Sequence, residues 1–132
     1  MVRINASYDG NLRCTATHEP SGNQLITDAP VDNKGKGESF SPTDLLATSM
    51  LTCIMTIVAI RADSRDIDIS GMFGSVEKTM AANPRRISKL EVVVRLPEGL
   101  NLDDRSWLIT EGCNCPVCVS VSESMEVDVT FE

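Results

Sequence analysis

Polar and apolar residues alternate from the first positions of the chain. Val2, Ile4, Ala6 and Tyr8 share one face of an extended segment, and Arg3, Asn5, Ser7 and Asp9 share the other. That period of two is the pattern of a half-buried strand. Asp9-Gly10 predicts a hairpin turn, because glycine tolerates the positive φ that a tight turn needs. Leu12, Cys14 and Ala16 continue an apolar face against Arg13, Thr15 and Thr17, and Gln24–Thr27 adds a third short strand. Asp28–Phe40 carries Pro30, Gly35 and Gly37 and reads as a loop.

At Ser41 the pattern changes. Ser41-Pro42-Thr43-Asp44 places a side-chain acceptor at the N-cap, a residue without an amide at N1 and an acid at N3. Each suits the orphan amides and positive end of a helix start. From Leu45 to Ile60 no residue is charged, and Arg61 and Asp63 close the apolar run. A helix apolar nearly all round must be buried nearly all round. Thr48, Ser49, Thr52 and Thr56 interrupt the run, which is too short to predict a membrane span.

Two further strands are predicted over Ile67–Met80 and Arg86–Leu96, joined around Asn83-Pro84. A short helix begins near Asp103 and runs towards Gly112, and a second helical piece starts near Cys115-Pro116. Met125, Val127, Val129 and Phe131 alternate with Glu126, Asp128, Thr130 and Glu132 in a last strand. The order predicts one α+β domain over residues 1–132 with a mainly antiparallel sheet. One small sheet covers only one side of so apolar a helix. The remaining cover is expected from a second copy, making a homodimer with this helix near its centre.

Composition narrows the function classes. The 132 residues carry 12 basic and 19 acidic side chains, a net charge of −7, with no Lys/Arg cluster against that balance. Nucleic acid and anionic membranes are therefore not expected as partners. Five cysteines, an odd number, follow a start with neither a basic stretch nor an apolar one. Free thiols in a reducing, cytoplasmic compartment are expected rather than a disulfide framework.

Cys14, between Leu12 and Ala16, reads as a small core residue. His18 beside a Pro-Ser-Gly turn reads as solvated or hydrogen-bonded, and Trp107 as a packing anchor. Cys53 lies in mid-helix, where the dipole helps a thiolate little. It is either core or a reactive thiol held by external donors. Cys113, Cys115 and Cys118 form a cluster open to three readings. They are a zinc site completed by His18 or Cys53, a Cys-x-x-Cys redox pair, or one partner for Cys53.

These motifs, taken in order, resemble the OsmC-like family, which includes the organic hydroperoxide resistance proteins. The resemblance rests on Ser41-Pro42-Thr43-Asp44-Leu45-Leu46 leading to Cys53, on Asn114-Cys115-Pro116-Val117, and on the strand Met125–Phe131. Thr27-Asp28-Ala29-Pro30 is similar to one branch of the family. The resemblance implies an antiparallel sheet wrapped on a long buried central helix in an intertwined homodimer. It implies a peroxidase of oxidative-stress defence that reduces organic hydroperoxides and needs no cofactor or metal. Cys53 would be the attacking thiol and Cys115 the resolving one, meeting at the subunit interface, with a dithiol as reductant. Leu46, Met50 and Ile54 would line an apolar substrate pocket.

The sequence departs from the pattern of the hydroperoxide-active members in two places. Thr43 stands where they carry a glutamate, with Asp44 next, and Arg13 is the nearest candidate for their hairpin arginine. Cys118 occupies a position where a small polar residue is common. Thr43, Asp44, Arg13 and Cys118 are therefore accessory candidates. The alternative is an OsmC-like small-ligand-binding or redox-sensing dimer with little peroxidase activity.

Overall fold

The computed structural model describes residues 1–132. The strands are β1 (Ile4–Gly10), β2 (Arg13–His18), β3 (Gln24–Asp28), β4 (Phe73–Ala81), β5 (Arg86–Arg95) and β6 (Glu126–Phe131). The helices are α1 (Pro42–Asp63), α2 (Leu102–Cys113) and α3 (Pro116–Val121), with a single 3-10 turn at Val31–Asn33. The class is α+β, as the order of patterns predicts. The strands form two three-stranded sheets, and the chain falls into two compact units, Met1–Leu46 and Ala47–Glu132.

In the N-terminal unit β1, β2 and β3 form an antiparallel meander. The hairpin turn is not at Asp9-Gly10 but at Asn11-Leu12, whose φ values of 54° and 63° are both left-handed. Two such residues match the twist of the flanking strands. The positive φ of Gly10 is absorbed where the register slips between Tyr8 and Gly10. The expected apolar face of β1 exists, but within this chain it is uncovered: Ile4 and Tyr8 are 66% and 67% exposed. Cys14, paired with Tyr8, is half-buried rather than core.

The loop after β3 returns to the sheet. The Asp28 amide donates to the Phe40 carbonyl at 3.0 Å. At its end, the Asp44 amide donates to Ser41 Oγ at 3.1 Å and the Ser41 amide donates to Asp44 Oδ2 at 2.8 Å. This reciprocal capping box satisfies two orphan amides at the start of α1.

In the C-terminal unit α1 buries Ala47, Met50, Ile54, Val58 and Ala62. These lie three or four residues apart, so they form one stripe. Burial all round is not achieved within one chain, and Ile60 is 57% exposed. The helix is also longer than its uncharged run. At 22 residues it is long and apolar enough, by length and composition, to cross a membrane. Its stripe is instead packed into protein. Val58 and Ala62 form a core with Leu96 and Leu108, against which Trp107 and Phe131 pack. Gly112 of α2 lets the helices meet closely, since a Cβ there would lie 2.8 Å from Val58 and 2.9 Å from Phe131. Trp107 also carries Arg65 over its ring at 3.4 Å, a cation–π contact.

The strand expected from Ile67 starts only at Phe73. Ile67 donates its amide to the Ala62 carbonyl at 2.9 Å and Met72 to Ile69 at 3.0 Å. Ile67, Ile69 and Met72 serve as packing for the Val58 core instead of as strand. β5 buries Leu90, Val92 and Val94, the alternation that its sequence predicts. β4 joins β5 antiparallel, but β6 joins it parallel, with Leu90 opposite Val127 and Val92 opposite Val129. The two helices between β5 and β6 form the long crossover that parallel pairing requires.

Candidate functional site: three thiols at the start of a short helix

Pro116 decides the local geometry. Helix α2 is capped at Asn101, whose side chain accepts from the Asp104 amide at 2.8 Å, and it ends at Cys113. Proline at the first position of α3 starts a new helix without losing an amide bond. Cys115 becomes the N-cap of α3, with extended backbone at φ −66° and ψ 146°. Its Sγ takes the role of a capping oxygen and accepts from the Cys118 amide at 3.2 Å.

Cys53 comes to the same place from the middle of α1. Its sulfur accepts a hydrogen bond from the Val117 amide and is in hydrogen-bond contact with the Cys115 side chain. Cys118 is in hydrogen-bond contact with Cys115 as well. Cys118 Sγ donates to Met50 Sδ at 3.1 Å. The result is a cluster of three thiols in which Cys115 contacts both others, with Met50 against Cys118. Cys115 is fully buried and Cys118 nearly so, while Cys53 is half-buried. All five cysteines are free thiols.

Burial sets the electrostatics. It pushes the Cys53 thiol above its ordinary value, the Val117 amide opposes that rise, and Cys115 adds to it. Cys118 is pushed up to about 12 by burial first and then by its contact with Cys115. Cys113, at the exposed end of α2, is also raised, by partial burial and by Cys115. A thiolate at Cys53 is favoured by one amide and opposed by desolvation.

Of the other sequence candidates, Met50 is in hydrogen-bond contact with the Cys118 thiol. Met50 and Ile54 are fully buried on the α1 stripe, and Leu46 is half-buried on the same helix. Thr43 Oγ1 lies 3.1 Å from Ser41 Oγ, and Asp44 belongs to the capping box. Arg13 bridges Asp28, at 3.3 Å, and Glu38. Asp28 is fully buried. Its carboxyl is held below its ordinary value by the Glu38 amide first and by Arg13, against the cost of burial. His18 Nδ1 is hydrogen-bonded to Ser21 Oγ at 2.7 Å. No group of three or more His, Cys, Asp or Glu side chains is arranged to hold a metal ion.

Two partners escaped the sequence reading. The Val117 amide carries no side-chain signature. Proline at N1 with a capping residue before it was the available signal, because it leaves the next amides free to donate. The contact of Met50 with Cys118 joins positions far apart in the chain and left no local trace.

This α+β fold is shared with proteins of known structure. A protein of Psychrobacter arcticus, described as an osmotic stress induced and detoxification response protein, is 42% identical. The match covers 100% of this chain and 96% of that one, with a TM-score of 0.93. The chain belongs to the OsmC/organic hydroperoxide resistance family. The organic hydroperoxide resistance protein OsmC of Legionella pneumophila shares the fold at 16% identity and a TM-score of 0.80, over 100% of this chain and 96% of that one. That of Elizabethkingia anophelis does so at 14% identity and 0.80, over 100% and 95%. No family model and no curated protein matches the sequence.

Proposed function

We propose that this chain is a two-cysteine peroxidase that reduces organic hydroperoxides. The observation that carries the reading is the hydrogen-bond contact between Cys53 and Cys115, with the Val117 amide on the Cys53 sulfur. Cys53, the less buried of the two, attacks the O–O bond as a thiolate. The alcohol leaves, and Cys53 becomes a sulfenic acid. Cys115 condenses with it, releasing water and forming a disulfide before further oxidation can occur. A dithiol then exchanges with the disulfide and restores both thiols. Met50 and Ile54, with Leu46 earlier on α1, give the attacking helix an apolar character suited to an alkyl chain.

The proposal includes a homodimer acting in the cytoplasm on one domain per chain, with no cofactor. Exposed apolar side chains support the second copy. Ile4 and Tyr8 in one unit, and Ile60 and Phe73 in the other, are each more than half exposed. A second reading, a ligand-binding or redox-sensing dimer with little turnover, is favoured by the raised Cys53 thiol.

Turnover of cumene hydroperoxide with dithiothreitol separates the two readings. Cys53→Ser is expected to lose at least about 100-fold. Cys115→Ser is expected to perform one turnover and then accumulate oxidised Cys53. Because the Cys53 thiol is raised, the attacking fraction is small at neutral pH, and the rate should climb by about tenfold per pH unit below its pKa. Wild-type turnover in Cys53→Ser would remove the assignment.

A further inference from the structure

The peroxidase cycle uses two thiols and leaves Cys118 over. This third thiol is neither remote nor idle in its surroundings. Its amide donates to Cys115 Sγ at 3.2 Å, its side chain is in hydrogen-bond contact with the same sulfur, and its own Sγ sits 3.1 Å from Met50 Sδ. Cys115 and Cys118 occupy the N-cap and third positions of α3. The capping hydrogen bond holds the first of these side chains over the backbone of the second. Cys53 contacts Cys115 as well. Cys115 is therefore in contact with both of the other sulfurs.

We propose that Cys118 is a second resolving thiol, which moves the disulfide from Cys53–Cys115 to Cys115–Cys118 and returns Cys53 to the thiol state. The inference rests on the peroxidase reading above. In the step, Cys118 Sγ attacks Cys115 Sγ and the Cys53–Cys115 bond breaks. The electron pair of that bond leaves on Cys53 Sγ, which takes up the proton that Cys118 gives. One disulfide replaces another, so no further oxidant is needed beyond the hydroperoxide that made the first. Exchange of this kind needs the attacking and leaving sulfurs both to reach the central one, and Cys118 and Cys53 each contact Cys115.

Two consequences follow from burial. The Cys118 thiol is pushed up to about 12, so the transfer quickens with alkaline pH. The final disulfide is nearly enclosed, since Cys115 is fully buried and Cys118 is 9% exposed. Half-buried Cys53 is then free to meet a second hydroperoxide before any reductant arrives.

The test is a time course of the full chain with one equivalent of cumene hydroperoxide at pH 8, quenched with N-ethylmaleimide and mapped by peptide mass spectrometry. A Cys53–Cys115 bridge is expected first. It should decay into a Cys115–Cys118 bridge, seen as loss of two hydrogens within one peptide. Cys118→Ser should trap the Cys53–Cys115 bridge, and Cys118→Ala serves the same purpose if the serine variant does not fold. Cys53→Ser should form no Cys115–Cys118 bridge with the same peroxide.

A Cys53–Cys115 bridge that persists unchanged in the wild type would overturn the relay and leave the two-cysteine cycle standing. A Cys115–Cys118 bridge that forms at the wild-type rate in Cys53→Ser would overturn it too, because the pair would then oxidise directly. Cys53 remaining a free thiol with no bridge anywhere would overturn the peroxidase reading, and the relay with it.

Discussion

Ile4 and Tyr8 in the β1–β2–β3 sheet are two-thirds exposed, whereas Leu90 and Val94 in the β4–β5–β6 sheet are fully buried. Both sets come from strands with equally regular alternation. The difference lies in what each unit has to put over its apolar face. The C-terminal unit carries three apolar pieces, α1, α2 and the Ile67–Met72 turns, and these pack into one core with Leu96 and Phe131. The N-terminal unit consists of three strands, a loop and the first turns of α1. Alternation therefore marks a face that wants cover, and whether the cover is in the same chain is a separate matter. Each apolar side chain left exposed forgoes about 1.5–3 kcal/mol. That is the physical case for a second copy.

The largest effect that sharpens this contrast is in the C-terminal core. Leu108→Ala should cost about 3 kcal/mol, since the side chain is fully buried among Val58, Ala62 and Leu96. Ile4→Asp, made on an uncovered face, should cost the dilute chain less than about 0.5 kcal/mol. It should instead weaken the association of two copies. Urea denaturation measures the first two quantities and sedimentation the third. Equal destabilisation by both substitutions in a dilute monomer would break the comparison.

A smaller effect is expected where the N-terminal unit ends. Ser41→Ala removes one half of the capping box and should lower stability by about 1 kcal/mol in the same denaturation assay. Smallest is a pH effect confined to that unit. The folded-state value of Asp28 lies below its unfolded one, so its ionised form contributes stability above the unfolded value of about 3.9. That contribution is lost as the pH falls through the folded value. Asp28→Asn should flatten this part of the acid limb when denaturation midpoints at pH 7 and pH 3 are compared. An unchanged acid limb would show that Arg13 and the Glu38 amide do not hold the carboxylate.

The candidate site was partly legible in the chain. Cys53 lies within the helix that the apolar run predicts, and Pro116 marked the helix start that turns Cys115 into a cap. The contact of Cys53 with Cys115, and of Cys118 with both Cys115 and Met50, was not legible. It depends on how α1 packs against the crossover between β5 and β6, and no local pattern records that packing. Arg13 illustrates the same limit. Its charge was visible, but its partners Asp28 and Glu38 come from the far end of β3 and from the loop beyond.

The sequence by itself determined the α+β class, the helix start at Ser41, a helix beginning near Asp103, the apolar stripe of β5 and the presence of unpaired thiols. These depend on local preferences: which residues cap a helix, which alternate, which cannot donate. Tertiary structure alone decided that the hairpin turns at Asn11-Leu12, that Ile67–Met72 packs instead of pairing, and that β6 runs parallel to β5. It also decided that Cys53 and Cys118 both meet Cys115. Each of these is settled by what a residue meets across the fold, where burial and pairing outweigh local preference.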